Sequence, residues 1–401
     1  MNYLFMLYID PGTGSLLISS IIGLAVTLLF TLKGFFYKIA SRFTGKILYL
    51  KNDFSGKLVF FSEGQRYWNV FEPVLKELIK KKQAFVYLTA DKNDNGLNIN
   101  SEFCESHYLG ELNQAIIYLN RLRAEICVMT TPQLDILTLK RSKYVKHYCN
   151  LMHSPVDIHF YKKFAFDRFN SILCVNNFQI KNLRKLENDR SIEKKDLFET
   201  GCTYYDNIDE IDINKEDNIL IAPSWGEKSF IKTCGKELIK KVLEEGYKVV
   251  FRPHPQSFTA DEEILIEIKN TFESNKNFQF DKSSDNKSTL SKSKIVISSM
   301  SGLVFDSIIG YRKPTIVISN NWVEKGWESY SLKNTSSTHI LLKQLGKTIF
   351  ENDIVNIGTI IKEVEKISIT DEIIQQYVFN FKNAGKVAAD QIISIYNRTQ
   401  K

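Results

Sequence analysis

The 401-residue chain is poor in the signals that mark a metal centre, a disulfide framework or a nucleic-acid binder. Its six cysteines, Cys104, Cys127, Cys149, Cys174, Cys202 and Cys234, are scattered, with no Cys-x-x-Cys pair. That spacing excludes a zinc ribbon and a redox dithiol. Runs such as Ile126-Cys127-Val128 and Leu173-Cys174-Val175 read instead as small buried thiols in a reducing compartment. The 8 prolines and 19 glycines gather in no linker-like tract, and no internal repeat is visible. No cluster of carboxylates suggests a bound metal, and no cofactor is implied. Lys and Arg number 53 against 46 Asp and Glu, a net charge of +7, too mild for a nucleic-acid partner. With 43% hydrophobic and 25% charged residues, the composition is that of a globular chain and excludes disorder or many membrane spans.

One long apolar run is present. Pro11 to Leu32 carries no charge over 22 residues, which as a helix would reach about 33 Å, enough for a bilayer core. Lys33, Lys38, Arg42, Lys46 and Lys51 follow with no acid among them, and Asp10 is the only charge before. This predicts a single-pass anchor in the cytoplasmic membrane with the remainder of the chain cytoplasmic. A cleaved signal peptide needs basic residues ahead of the run and a small-residue cleavage site after it, and has neither here. Phe35, Phe36, Tyr37, Ile39 and Phe43 interleave with the cations, a pattern suited to the anionic inner leaflet.

The rest reads as two α/β halves, in line with the two to three domains that length alone suggests. Apolar runs at Lys57–Phe61, Ala84–Leu88, Ile126–Met129, Tyr144–Met152 and Ile172–Val175 alternate with segments of helical spacing at 67–82 and 111–122. The pattern restarts at Ile219–Ala222 and continues through Val249–Phe251, Ile295–Ile297 and Thr315–Ile318, with helices expected at 234–245, 261–273 and from Gly302. Such alternation predicts two parallel sheets covered by helices. The predicted units are residues 1–52 (anchor and basic segment), 53–206 (acceptor half) and 207–401 (donor half with a closing helix). Ligands of such sheets bind beyond the carboxyl ends of the strands, so motifs just after strands carry the functional argument.

Three such motifs stand out. Phe251-Arg252-Pro253-His254-Pro255 holds two cationic donors in a stiff frame, suited to a pyrophosphate. Ile297-Ser298-Ser299-Met300-Ser301-Gly302 runs from a strand into a helix that carries Phe305-Asp306. A helix start offers free N–H groups to a phosphate, and the serines could equally serve as caps. His153-Ser154-Pro155 follows a strand and supplies a general base with an ordinary pKa near 6.5. A rigid loop or a structural histidine is the plainer reading of each motif by itself.

Taken in order, with Ala222-Pro223-Ser224-Trp225 between them, these motifs resemble the CDP-glycerol glycerophosphotransferase family of teichoic-acid synthesis. That family carries His-Gly-Thr-Pro, Ala-Pro-Thr-Trp, Arg-x-His-Pro and Thr-Asp-Tyr-Ser-Ser…Phe-Asp segments. Thr200-Gly201-Cys202-Thr203-Tyr204-Tyr205-Asp206 is similar to the family's link, and Asn383-Ala384-Gly385-Lys386-Val387-Ala388-Ala389 to its closing helix. The resemblance covers residues 125–396. It implies a glycosyltransferase-B architecture, with the nucleotide donor on the C-terminal half. This chain departs from the family at Ser154, where Gly is expected, and at Ser298-Ser299-Met300, where an acid is lost.

The resemblance implies an inner-leaflet transferase that moves an alditol phosphate, glycerol phosphate first among the choices, from a CDP-activated donor to a lipid-linked glycan hydroxyl, releasing CMP. His153 and His254 are then the expected catalytic residues. Arg252, Ser299, Ser301, Gly302, Asp306 and Ser224 are expected around the donor. Two other readings stay open: a glycosyltransferase using a nucleotide sugar in capsule or O-antigen synthesis, whose sialyl- and Kdo-type members share a His-Pro element and a serine-rich turn, and an inactive anchored scaffold of an export complex. A homo-oligomer is compatible with each.

Overall fold

A computed structural model describes residues 53–208, 218–226, 229–283, 287–319, 327–333 and 336–401. The predicted anchor and its basic segment lie outside the described residues, as does most of the 206–217 boundary. No helix of the described residues is long and apolar enough to cross a membrane.

The first half builds β1 (Asp53–Ser62), α1 (Trp68–Lys80), β2 (Phe85–Thr89), β3 (Cys104–Tyr108), α2 (Leu112–Leu119), β4 (Arg123–Met129), β5 (Val145–Leu151), β6 (Ser171–Cys174), α3 (Asn177–Arg190) and β7 (Asp196–Glu199). Its seven strands are all parallel, in the order β3-β2-β1-β4-β5-β6-β7. β2 is buried at every position, which is why it reads as a continuous apolar run and not an alternating one. α1 places Val70, Phe71, Val74, Leu75 and Leu78 on one face, the three-and-four spacing of an amphipathic helix.

The second half contains β8 (Asn218–Ala222), α4 (Lys236–Glu244), β9 (Lys248–Phe251), α5 (Glu262–Phe272), β10 (Phe278–Phe280), β11 (Ser293–Ser298), α6 (Gly302–Phe305), β12 (Thr315–Ser319), α7 (Ser337–Leu345), β13 (Gly346–Phe350), α8 (Ile357–Val364) and α9 (Ala384–Thr399). Its strands are again all parallel, ordered β10-β9-β8-β11-β12-β13. Two parallel sheets with their own apolar cores confirm the predicted α/β architecture.

One boundary is corrected. The closing helix, grouped by sequence with residues 207–401, packs on the first half. Ala388, Ala389, Ile392 and Ile395 of α9 share a core with Leu58, Phe60, Val70 and Phe71. The reason lies in the connector. Asp206 accepts hydrogen bonds from the Ala384 and Gly385 amides at 3.1 and 2.6 Å, capping α9 where the chain returns. Pro73 inside α1 cannot donate to the carbonyl of Asn69, and Asn207 Nδ2 reaches that oxygen instead at 3.4 Å. Thr203 Oγ1 donates to the Val70 carbonyl at 2.6 Å. The connector is thereby pinned to α1 and α9 together.

Candidate active site

The carboxyl edge of the first sheet carries two loops that meet. After β1, Gly64 sits at φ 137°, and a Cβ there would lie 2.6 Å from Asp91 Cβ, so the turn requires glycine. It delivers Arg66 and Tyr67. After β5, the chain reaches His153. Gln179 near the start of α3 donates Nε2–H bonds to the carbonyls of Ser154 and Val156, both at 3.0 Å. The Cys202 thiol donates to the His153 carbonyl at 3.7 Å. The imidazole packs edge to face with Tyr67, centroids 5.3 Å apart. Arg66 pairs with Glu63 and lies over the Tyr67 ring at 4.8 Å.

Burial lowers the His153 pKa to about 4, with Glu63 opposing and Arg66 adding to the shift. The ordinary value near 6.5 that the sequence suggests is moved because the imidazolium has lost its water. His153 is therefore neutral, and able to accept a proton, at every pH above about 4. Burial lowers His147 to about 4 as well, so ring resonances of selectively labelled histidine, assigned by comparison with a His153→Ala variant and followed from pH 8 to pH 3.5, should show His153 titrating near pH 4; a midpoint near 6.5 would contradict this.

The second half closes the site. Gly302 and Asp306 line the same cleft of about 400 Å³ as Arg66, Tyr67, His153, Ser154, Tyr161 and the connector's Tyr204. Burial raises the Asp306 carboxyl to about 7, and the facing Tyr205 offsets only part of that. Near neutrality, then, an uncharged His153 shares one cleft with a carboxyl whose proton affinity burial has raised. Ser301 stands at the N-cap of α6 in extended conformation without a capping bond from its side chain. α6 has only four residues and widens at Asp306–Gly310, so any anion there would meet individual N–H groups more than a macrodipole. A Cβ added to Gly302 would meet nothing within 4 Å, which leaves that side of the cleft open.

The remaining predicted residues lie beyond β8, β9 and β11, three adjacent strands. Ser299 is buried and accepts from the Ser224 amide at 3.2 Å. Among the described residues, the buried Ser224 hydroxyl has no hydrogen-bond partner. His254 accepts from the Gln256 amide at Nδ1, 3.2 Å away, which leaves its proton on Nε2. Burial lowers its pKa, and Trp225, 43% exposed, stacks beside it at 6.3 Å. Arg252 differs from the sequence picture of an open clamp. Its Nη1 donates to Asp281 at 2.6 Å and to Ser283 Oγ at 2.8 Å, and its Nη2 to the Ser283 carbonyl at 2.9 Å. Asp281 is held at about 2, its hydrogen bonds from Ser283, Thr289 and Arg252 outweighing burial. None of Arg252, His254, Ser224 or Ser299 lines the cleft that holds His153.

Sequence reasoning missed Arg66, Tyr67 and Tyr161 as cleft residues. The Ser62-Glu63-Gly64 turn after the first strand was the available signal, but an arginine and a tyrosine after a turn have no spacing of their own to mark them. Among the described residues, no group of three His, Cys, Asp or Glu is placed to hold a metal ion. The cysteines are free thiols, five of them buried.

No protein-family model matches the sequence, and no curated protein does. Solved structures do match in fold. The wall teichoic acid polymerase TagF soaked with CDPG superposes with a TM-score of 0.55 at 14% identity, over 93% of this chain and 99% of that one. The UDP-GlcNAc 2-epimerase of Neisseria meningitidis bound to UDP-GlcNAc gives 0.56 at 13% identity, over 84% and 99%. The Methanocaldococcus jannaschii UDP-GlcNAc 2-epimerase with UDP-GlcNAc and UDP gives 0.55 at 12%, over 85% and 99%. The chain thus has a two-sheet fold of glycosyltransferase-B type.

Proposed function

We propose that this protein is a transferase of surface-polymer synthesis that moves an alditol phosphate from a CDP-activated donor to a glycan hydroxyl. The observation that carries the reading is a neutral, desolvated His153 facing Gly302 and Asp306 of the other half across one cleft. An acceptor hydroxyl seated beside His153 would attack the donor's β-phosphorus. The new O–P bond forms as the bond to CMP breaks, CMP leaves with that electron pair, and the hydroxyl proton passes to the imidazole. The fold shared with a polymerase soaked with CDPG and the family resemblance of the motifs support the donor class. In this proposal the Gly302 amide and the Arg66 guanidinium meet the phosphate charge within the cleft, and the His254 Nε2–H, outside it, meets the pyrophosphate from the donor's nucleotide side. Arg252 acts at one remove by holding Asp281 and Ser283. The run at 11–32 would anchor the protein in the cytoplasmic membrane beside a lipid-linked acceptor.

Incubating the full chain with CDP-glycerol, CDP-ribitol and a set of nucleotide sugars, and reading CMP, CDP or UDP release, tests the assignment. CMP release from a CDP-alditol that depends on acceptor is the expected result. UDP or CDP release alone would favour a sugar transferase, the reading to which the folds of the two UDP-GlcNAc-bound epimerases lend support.

His254→Ala should lower turnover about a hundredfold, on the order of 3 kcal/mol, because a donor aimed at developing phosphate charge is lost. The side chain is only partly buried, so the fold should survive, as circular dichroism would show. Turnover within threefold of wild type in a folded variant would remove His254 from the site.

A further inference from the structure

A second cavity, larger than the cleft at His153, lies elsewhere on the first half. It measures about 730 Å³ and opens at the opposite, amino edge of the first sheet, below β5, β6 and β7. β5 is seven residues long, so about 23 Å separates the two edges. Five cations line this cavity, Arg141, Arg168, Arg190, Lys194 and Lys195, against two carboxylates, Asp167 and Glu193. Two of the cations are neutralised locally. Arg190 pairs with Asp167 at 2.6 Å and with Glu328, and Lys195 lies 3.6 Å from Glu187. Arg141 is held differently. Its Nη1 donates to the Arg168 carbonyl at 2.6 Å and its Nη2 to Asn170 Oδ1 at 2.7 Å, two neutral acceptors. A guanidinium has five N–H groups, so Arg141 is oriented by the protein without being neutralised by it. Among the described residues, Arg168 and Lys194 have no ion-pair partner. Ile136, Phe164 and Phe169 complete the wall. The mouth therefore combines a fixed guanidinium, two further unpaired cations and an apolar side.

We propose that this cavity binds the phosphate group of a phosphomonoester or phosphodiester, a site separate from the transferase cleft and independent of the reading given for it. A bidentate guanidinium flanked by further cations suits a phosphate oxygen pair. The same chemistry is presented by a soluble glycerol phosphate and by an anionic lipid headgroup.

The test is calorimetric titration of the full chain in neutral detergent with inorganic phosphate, glycerol 3-phosphate and a short-chain phosphatidylglycerol, with short-chain phosphatidylcholine as the zwitterionic control. Saturable binding that weakens with salt is expected. Arg168→Gln/Lys194→Gln should weaken it at least tenfold while leaving the fold and the transfer rate unchanged, since both side chains are exposed and unpaired. Arg141→Gln should weaken it further. His254→Ala, beyond β9 of the second sheet, should leave it unaltered. Tight binding of phosphatidylglycerol alone assigns the site to lipid, and equal binding of glycerol 3-phosphate assigns it to a soluble ester. Absence of saturable binding by any anion, or binding that the double variant retains in full, would overturn the proposal.

Discussion

Replacing His153 with Ala should reduce transfer about a thousandfold, roughly 4 kcal/mol, while leaving CMP affinity within twofold of wild type. The imidazole lines the cleft from the first half, fixed by Tyr67 on one side and by the Cys202 and Gln179 bonds to its loop on the other. Neither Trp225 nor His254, the aromatic pair beyond the strands of the second sheet, lines that cleft. A base acts on the acceptor hydroxyl, so its removal should strike turnover and spare nucleotide binding. His254→Ala should weaken both. Parallel measurement of turnover and of CMP binding by titration separates the two roles. A His153→Ala protein that binds CMP as poorly as the His254 variant would reverse the assignment of the halves.

The second large effect concerns stability. Asp157→Ala should cost about 3–5 kcal/mol, because it strands several buried donors at once. The carboxylate is fully buried. It accepts from His159 Nδ1 at 2.8 Å, Asn182 Nδ2 at 2.7 Å, and the Ser337 amide and hydroxyl at 2.6 and 2.8 Å. Ser337 begins α7 of the second half, so a residue of one half caps a helix of the other. Glu328 reinforces the junction, accepting from the Phe164 amide at 2.8 Å while its own amide donates to the Tyr161 carbonyl at 2.8 Å. Burial alone would raise the Asp157 pKa, but the bonds from His159 and Ser337 outweigh it and the net shift is downward. Its folded value lies below the unfolded one. Its contribution is thus present above about pH 4 and is lost as pH falls through the lower folded value. Urea unfolding of wild type, Asp157→Ala and Asp157→Asn at pH 7 and pH 3.5 measures this. A loss below 1 kcal/mol at pH 7 would show that the junction does not depend on the carboxylate.

The central strands of both sheets were legible in the sequence because parallel strands buried on two faces must be apolar throughout, as in β2 and β8. Edge strands obey no such demand. Cys104-Glu105-Ser106-His107-Tyr108 and Asp196-Leu197-Phe198-Glu199 are partly exposed at the two ends of the first sheet, and nothing in their pattern distinguishes them from loops. α3 escaped for a related reason. It buries Gln179, Asn182 and Glu187 beside its leucines, and polar residues enter a core only when a partner distant in sequence satisfies them.

The site divides along the same line. Its candidate residues followed strand ends, a local signal, and the sequence by itself determined which histidines, serines and glycine stand there. Their states were decided only by tertiary packing. The neutrality of His153, the raised carboxyl of Asp306 and the engagement of Arg252 by Asp281 each arise from burial or from a partner that the chain brings near by folding. So does the return of α9 to the first half, where Asp206 caps a helix that begins 178 residues later. Desolvation and long-range hydrogen bonds belong to the assembled environment of a group and leave no mark on the residues beside it in sequence.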